Sequence, residues 1–329
     1  DYRFAVTLAG FQNRPWQFYP GLHDVEVKAW GRKGATLFSI NEDYLELNYP
    51  RLFRDVITVN NVHAQLRLQD LDDQWFLQSG VINASTRDAR SATQLSLSIP
   101  KDKAQPPFLQ LQSTLRDGNG KNKSLYLPAG VLSEPLLEWL DEAIVDGHLM
   151  RGDVLVHGPA RLNDAEPLGV LLGFTPSDGV LQFLPDWSEP VRNGVADVVV
   201  DQGEVDARVL QATYYGQSLK QGAVTLPKIK QDAPHVLSVR VQTEGPAGEG
   251  FSILTGSPLR SSIGDFIDDF SLQGDMAVDF GLDIPLQSEF KNQISSVTRV
   301  QLEKGTLNLQ SQNITINDLA AQVTFDLAK

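Results

Sequence analysis

Cysteine is absent from the 329 residues. That excludes disulfides, thiolate metal sites and a cysteine nucleophile in this stretch, and it suits an oxidising compartment, where a stray thiol is a liability. Positive charge is scarce: 28 Lys and Arg stand against 41 Asp and Glu, a formal net charge of −13. This balance excludes a nucleic-acid backbone as partner, because phosphates demand a basic face. Long apolar runs are missing too. LGVLLGF, Leu168 to Phe174, falls far short of the roughly 20 residues that cross a bilayer as a helix. The opening DYRFAVTLAG reads as the middle of a strand rather than a leader, so the chain is expected to be a middle piece of something longer.

Motifs that carry chemistry are missing as well. His23, His63, His148, His157 and His235 lack metal-ligand spacing. Asp117 and Asn119 begin like a calcium loop, but Pro128 stands where the bidentate glutamate belongs. GPAGEG, Gly245 to Gly250, has no phosphate-binding lysine and reads as a turn between strands. The acidic pairs Asp72–Asp73 and Asp268–Asp269 are adjacent residues that point apart, unlike glycosidase carboxylates. The tripeptide Arg151 to Asp153 is short enough to arise by chance, and no nucleophile elbow occurs. No enzymatic activity, cofactor or metal is expected, which directs attention to surfaces.

What the sequence does have is alternation with period two. It runs through Leu66 and Leu68; Leu95, Leu97 and Ile99; and Leu109, Leu111 and Leu115. It returns at Leu237, Val239 and Val241; at Val278, Phe280, Leu282 and Ile284; and at Leu307, Leu309, Ile314 and Ile316. Val198, Val200, Val323 and Phe325 extend the pattern. The reading is a mainly β chain of about 20 strands, an antiparallel sheet with one apolar and one wet face. RDGNGKNK, Arg116 to Lys123, and EKGT, Glu303 to Thr306, read as hairpin turns.

Two short amphipathic helices interrupt this pattern. The first spans 133–146, with Ser133 as N-cap, Leu136, Leu140, Ala143 and Ile144 as its stripe, and Gly147 as its exit. The second spans 262–273, with Ile263, Phe266, Ile267 and Phe270 as its stripe and Gly274 as its exit. A strand ending at proline follows each, at Pro159 and Pro285. The shared order predicts repeats: 1–50 closes one unit, 51–190 and 191–290 are whole units, and 291–329 opens another.

Several pieces in this order resemble the YhdP branch of the AsmA-like proteins: PWQFYPGL (Pro15 to Leu22), LYLPAGVLSEPLLEWLDEAIVDG (Leu125 to Gly147), HGP (His157 to Pro159), DGVLQFLPDW (Asp178 to Trp187), TGSPL (Thr255 to Leu259) and DIPL (Asp283 to Leu286). The resemblance implies a bridge-like lipid transfer protein of the Gram-negative envelope, anchored in the inner membrane and projecting through the periplasm. It also implies a long twisted sheet curled into an open apolar groove that carries phospholipid towards the outer membrane. The alternating residues named above would then line the groove. Leu136, Leu140, Ile144, Ile263, Phe266, Ile267 and Phe270 would form lids, and membranes would be reached only through other parts of the protein. Alternation by itself favours a sandwich core, and a non-transporting envelope scaffold is the competing reading.

Overall fold

The computed structural model describes residues 2–16, 19–130, 132–160, 168–182, 187–228, 234–256, 260 and 268–328. Among them are seventeen strands of one sheet, in antiparallel pairs. They are β1 (Arg3–Asn13), β2 (Gly21–Arg32), β3 (Ala35–Asn48), β4 (Ile57–Asp70), β5 (Gln74–Ser79), β6 (Ile82–Ser85), β7 (Arg90–Pro100), β8 (Phe108–Asn119) and β9 (Ile144–Pro159). The rest are β10 (Gly169–Leu181), β11 (Val191–Asp201), β12 (Glu204–Tyr214), β13 (Gln217–Leu226), β14 (Val236–Pro246), β15 (Phe270–Pro285), β16 (Ser295–Leu309) and β17 (Ile314–Ala328). Two α-helices stand among them, α1 (Glu134–Ala143) and α2 (Ala247–Thr255). The mainly β, antiparallel reading holds, with seventeen strands in place of about twenty. As expected, β9 and β15 end at Pro159 and Pro285.

The chain divides into two compact units. The first comprises Asp1–Ser133, Leu149–Phe174 and Val200–Gln202; the second comprises Glu134–His148, Thr175–Val199 and Gly203–Lys329. In the first unit β1 to β4 form a meander. Both β5 and β6 then lie between β4 and β7, as one strand interrupted at Gly80 and Val81. In the second unit β12 to β17 meander in chain order. Each strand meets its sequence neighbour, so one alternating pattern serves both partners.

Several local expectations change. α1 stops at Ala143, and Ile144 to Gly147 open β9 instead of closing the helix. Gly147 does take a positive φ of +148°, but within the strand, and the buried Ser133 hydroxyl makes no hydrogen bond, so it caps nothing. The supposed hairpin at Arg116 to Lys123 is the end of β8 followed by a 3-10 helix, Gly120–Leu125, whose first turn is capped by the Asn119 side chain accepting from the Lys121 N–H. The second supposed hairpin, Glu303 to Thr306, lies inside β16 as a bulge, with Lys304 at φ +54° and a register shift between Leu302 and Gly305. GPAGEG is the entrance to α2 rather than a turn. Of the span expected as the second helix, residues 262–267 lie outside the described residues, and Phe270 begins β15.

Left-handed residues recur in a pattern within the strands. Gly147, Asp178 and Asn193 hold φ values of +148°, +53° and +53° in β9, β10 and β11; Gly274, Lys304 and Asp318 hold +111°, +54° and +54° in β15, β16 and β17. Asp and Asn tolerate this left-handed region better than other residues with a Cβ. The approach is also close. A Cβ on Gly147 would lie 3.2 Å from the Gly179 Cα, and one on Gly274 would lie 3.0 Å from the Gly305 Cα. In β15 to β17 the register shifts beside these residues mark bulges, which bend a strand and sharpen its local twist.

Candidate functional site

In an antiparallel pair, directly opposed residues point to the same side of the sheet. Following the registers of the first unit therefore sorts its side chains. Leu68, Leu77, Leu97 and Leu109 oppose one another in a row over β4, β5, β7 and β8. Beside it run Val6, Ala29, Phe38 and Leu66 over β1 to β4, and Leu8, Val27, Ile40 and Ala64 over the same strands. Leu95 opposes Leu111, and Ile99 opposes Trp75. The expected residues Leu66, Leu68, Leu95, Leu97, Ile99, Leu109 and Leu111 thus share one apolar face. The opposite face reads Arg67, Gln78, Ser96 and Gln110 in one row and Thr7, Lys28, Ser39 and Gln65 in another.

The apolar face is not sealed along its length. Phe38, Ile40, Leu66, Leu68, Leu77, Leu95, Leu97, Ile99, Leu109 and Leu111 are all half-buried, and Val6 and Leu8 are exposed. A dry sandwich would have these residues fully buried. One end of the face is closed by protein. There Val25, Leu45, Ile57, Val59 and Val62 form a buried cluster under Phe53 and Tyr126. The Tyr126 hydroxyl donates to the buried Asp88 carboxylate at 2.8 Å, which also accepts from Asn122 Nδ2 at 2.7 Å and from Arg87 Nε at 3.1 Å. Burial alone would raise the Asp88 pKa, but these hydrogen bonds and the Arg87 charge outweigh it and hold the carboxyl below its ordinary range.

The second unit repeats the logic with a different balance. One row runs Ala207, Val224, Val239, Leu282 and Ser296; the next runs Val209, Gly222, Val241, Phe280, Thr298 and Phe325. Val278, Val300 and Val323 oppose one another, as do Leu237 and Ile284, and the triplets Phe270–Leu309–Ile314 and Leu272–Leu307–Ile316. Every expected residue of β14 to β17 again shares one side. Here part of the face is sealed: Leu237, Val239, Leu282 and Ile284 are only 1, 2, 3 and 5% exposed. Val241, Phe280, Leu307, Leu309 and Phe325 are half-buried and Val323 is exposed. Val198 and Val200 are half-buried in β11, alternating with exposed Asp197, Val199 and Asp201.

The missed cover is α2. Its first residue, Ala247, is fully buried against Met276, Val278 and Leu302. At Gly250 a Cβ would lie 1.9 Å from the Met276 Cε and 2.9 Å from Gln217 Nε2, so a larger residue there would push those side chains aside. The paired glycines of AGEG were the available signal, although glycine argues against a helix on propensity alone. Of the expected lid residues, Leu136 is buried in α1, Leu140 is half-buried in α1, Ile144 is half-buried in β9, and Phe270 lies in β15. Ile263, Phe266 and Ile267 lie outside the described residues.

Near the sealed patch the His235 imidazole donates from Nε2 to the Pro227 carbonyl at 2.8 Å, leaving Nδ1 buried without a partner. Burial pushes its pKa down, against a smaller upward pull from that carbonyl. Among the described residues no cluster of three or more His, Asp or Glu is placed to hold a metal, and no helix is long and apolar enough to cross a membrane.

Both units thus pair a mainly polar face with an apolar face that protein covers only in part. The intermembrane phospholipid transporter YhdP of Escherichia coli strain K12 is 18% identical over 328 residues, covering 98% of this chain and 25% of the relative. The chain therefore spans about a quarter of that relative's length. No solved structure matches. The profile of the YhdP protein family, in contrast, matches residues 1–329 without interruption, and the chain belongs to that family.

Proposed function

We propose that this chain is a periplasmic segment of a lipid-transport bridge and holds phospholipid acyl chains against its apolar faces. The reading rests on one observation above the others: the half-buried row Leu68–Leu77–Leu97–Leu109, backed by a polar outer row. Family membership supports lipid as the occupant. Each methylene transferred from water gains about 0.8 kcal/mol, so a 16-carbon tail crossing unaided forfeits on the order of 12 kcal/mol. An uncovered apolar face removes most of that barrier, and passive sliding along it needs no nucleotide. With a net charge of −13, the protein is poorly suited to hold anionic head groups, so the tail is the part recognised and the head group stays in water. Contact with the inner and outer membranes falls to other parts of a longer polypeptide.

In the same reading the faces form a curled groove built by repetition. The matched left-handed positions of β9 to β11 and β15 to β17 support the repetition, with whole units at 51–190 and 191–290 between partial ones at 1–50 and 291–329. α2 acts as a cover on the groove, and α1 does the same.

The test is a photo-crosslinking amino acid at Leu97 and Leu109 in the intact protein in cells, with Gln78 and Gln110 on the opposite face as controls. Phospholipid adducts are expected at the leucine positions at several times the control level. Equal capture on both faces, or none on either, would leave the transport reading without support. The sealed patch at Leu237, Val239, Leu282 and Ile284 favours a structural role for that part of the second unit, so a probe at Val239 is expected to give little.

A further inference from the structure

We propose that the apolar face of the second unit carries a latch, Trp187 held over Phe280 by Ser188, and that releasing it admits an acyl chain. The proposal rests on the lipid-binding reading above and adds its regulation. The Trp187 ring meets Phe280 edge-on, with centroids 5.8 Å apart, and lies 6.2 Å from the Tyr214 ring. Phe280 belongs to β15 and Tyr214 ends β12, with β13 and β14 between them. A register shift in β13 between Leu219 and Gln221 swings Gln217, and with it the opposed Tyr214, to the apolar side. A single indole therefore bridges four strands across the face.

Its anchor is small and polar. Ser188 Oγ donates to the Gly256 carbonyl, just past α2, at 2.6 Å and shares a 2.5 Å hydrogen bond with the Tyr215 hydroxyl. The same bonds tie the Trp187 segment to the helix covering Met276 and Val278. A Cβ at position 256 would lie 2.2 Å from the Tyr215 hydroxyl and 2.9 Å from Ser188 Oγ, so glycine is what allows the three groups to meet.

The closed arrangement is imperfect, which is what a latch requires. The Tyr214 hydroxyl is buried with no hydrogen-bond partner, and a buried unsatisfied hydroxyl disfavours the state that contains it. Lifting Trp187 returns that hydroxyl to water or to the ester and phosphate oxygens of an incoming lipid. It also uncovers Phe280 and the opposed Val241, both only half-buried when closed. Closure is held by aromatic contact, by the hydroxyl and N–H of an exposed serine, and by the Gln182 side-chain amide donating to the Trp187 carbonyl, each a contact weak enough to open and reclose.

These 329 residues hold no cysteine, so no native thiol of this segment competes with an introduced pair. Ser188→Cys with Gly256→Cys, in a Tyr215→Phe background that frees the space, places the new Cβ within disulfide reach of the opposing sulfur. A photo-crosslinker at Val241 reports lipid in the second unit, and one at Leu97 reports it in the first, both in the full-length protein. Oxidation of the pair is expected to lower capture at Val241 at least threefold, with reductant restoring it and Leu97 unchanged throughout. Trp187→Ala is expected to raise capture at Val241 above the parent. Failure of the disulfide to form would show that the two positions do not meet and would end the proposal. Equal capture at Val241 in the locked, reduced and Trp187→Ala forms, with lipid still caught at Leu97, would overturn the latch alone. Absence of lipid at Leu97 as well would remove both the latch and the reading beneath it.

Discussion

Replacing Leu45 and Leu97 by alanine, each in turn, measures directly how far protein covers the apolar face. Both leucines belong to the first unit and both sit in strands, but Leu45 is 5% exposed in a closed cluster whereas Leu97 is half-buried in the open row. Leucine to alanine removes three carbons, about 2.4 kcal/mol of transfer free energy at about 0.8 kcal/mol each. At Leu45 the void is walled in, so a cavity contribution adds to this and the expected loss is about 3 kcal/mol, within the range of about 2–5 kcal/mol for buried leucines. At Leu97 roughly half the transfer value was ever gained and no closed void forms, so the expected loss is about 1 kcal/mol. Urea unfolding followed by circular dichroism separates the two. With a slope near ~3 kcal/mol per molar, the midpoints fall by about 1 M and by about 0.3 M, with the slope itself unchanged. The same contrast is expected between Leu237→Ala and Leu307→Ala in the second unit. If Leu97→Ala cost as much as Leu45→Ala, the row would be covered like any core, and the argument for an uncovered face would fail.

Charge on the open row has a different signature: Leu97→Asp is expected to retain the fold in circular dichroism yet block lipid passage in a cellular transport assay, while Gln110→Asp on the wet face leaves passage intact. Equal transport by the two variants would refute the assignment of faces. The Asp88 carboxyl, whose pKa is depressed in the fold, contributes stability above its unfolded value of about 3.9 that is lost as pH falls through the lower folded value. Asp88→Asn should therefore flatten the acid limb of a midpoint-against-pH curve and lower the midpoint at neutral pH; an unchanged acid limb would refute it. His235, also depressed, gives full stability above its unfolded value near 6.5, with loss as pH falls from there towards the folded value. His235→Phe should remove that component between pH 7 and 5, and a persisting slope would assign it elsewhere. Gly274→Val, at φ +111° and with 3.0 Å between the new Cβ and the Gly305 Cα, is expected to cost about 1–3 kcal/mol of backbone strain, read as a lowered urea midpoint. A neutral result would mean the bulge is absent in solution.

Period-two alternation made the sheet and its two faces legible, because a one-residue error in register would have thrown every leucine to the wrong side. Leu68, Leu97 and Leu109 could be placed on one face before any strand pair was known. The prolines at 159 and 285 marked strand ends because they cannot continue a central ladder. Asp24 and Asn61, left-handed inside strands where the register shifts, look in the sequence like turn residues or ordinary wet-face residues, so the shifts of parity beside them were invisible. For the same reason Glu303 to Thr306 imitated a hairpin: a bulge and a two-residue turn call for the same left-handed backbone. α2 was hidden by its glycines, which look like helix breakers until the Met276 side chain they accommodate is in view. Extent of cover was the least legible property. Leu97 and Val239 have the same local pattern, and nothing in that pattern separates a half-buried residue from one that is 2% exposed.

That difference bears on how one sheet can serve two ends. An apolar row left open along its whole length would invite self-association, since large exposed apolar patches seek partners. A row sealed along its whole length would hold no ligand. Here each unit has a closed anchor, Val25–Leu45–Ile57–Val59–Val62 in one and Leu237–Val239–Leu282–Ile284 in the other, and these provide the burial a fold needs before it can leave anything open. The half-buried rows beside them are then free to be covered by something that comes and goes. On the proposed reading that cover is acyl chain, so emptying the groove should weaken the open rows and spare the anchors. Hydrogen exchange of delipidated against lipid-loaded protein tests this. Protection is expected to change at the amides of Leu68, Leu97 and Leu109 and to stay level at Val59 and Val239, whereas a uniform change would mean that the open and sealed parts of the face are energetically one.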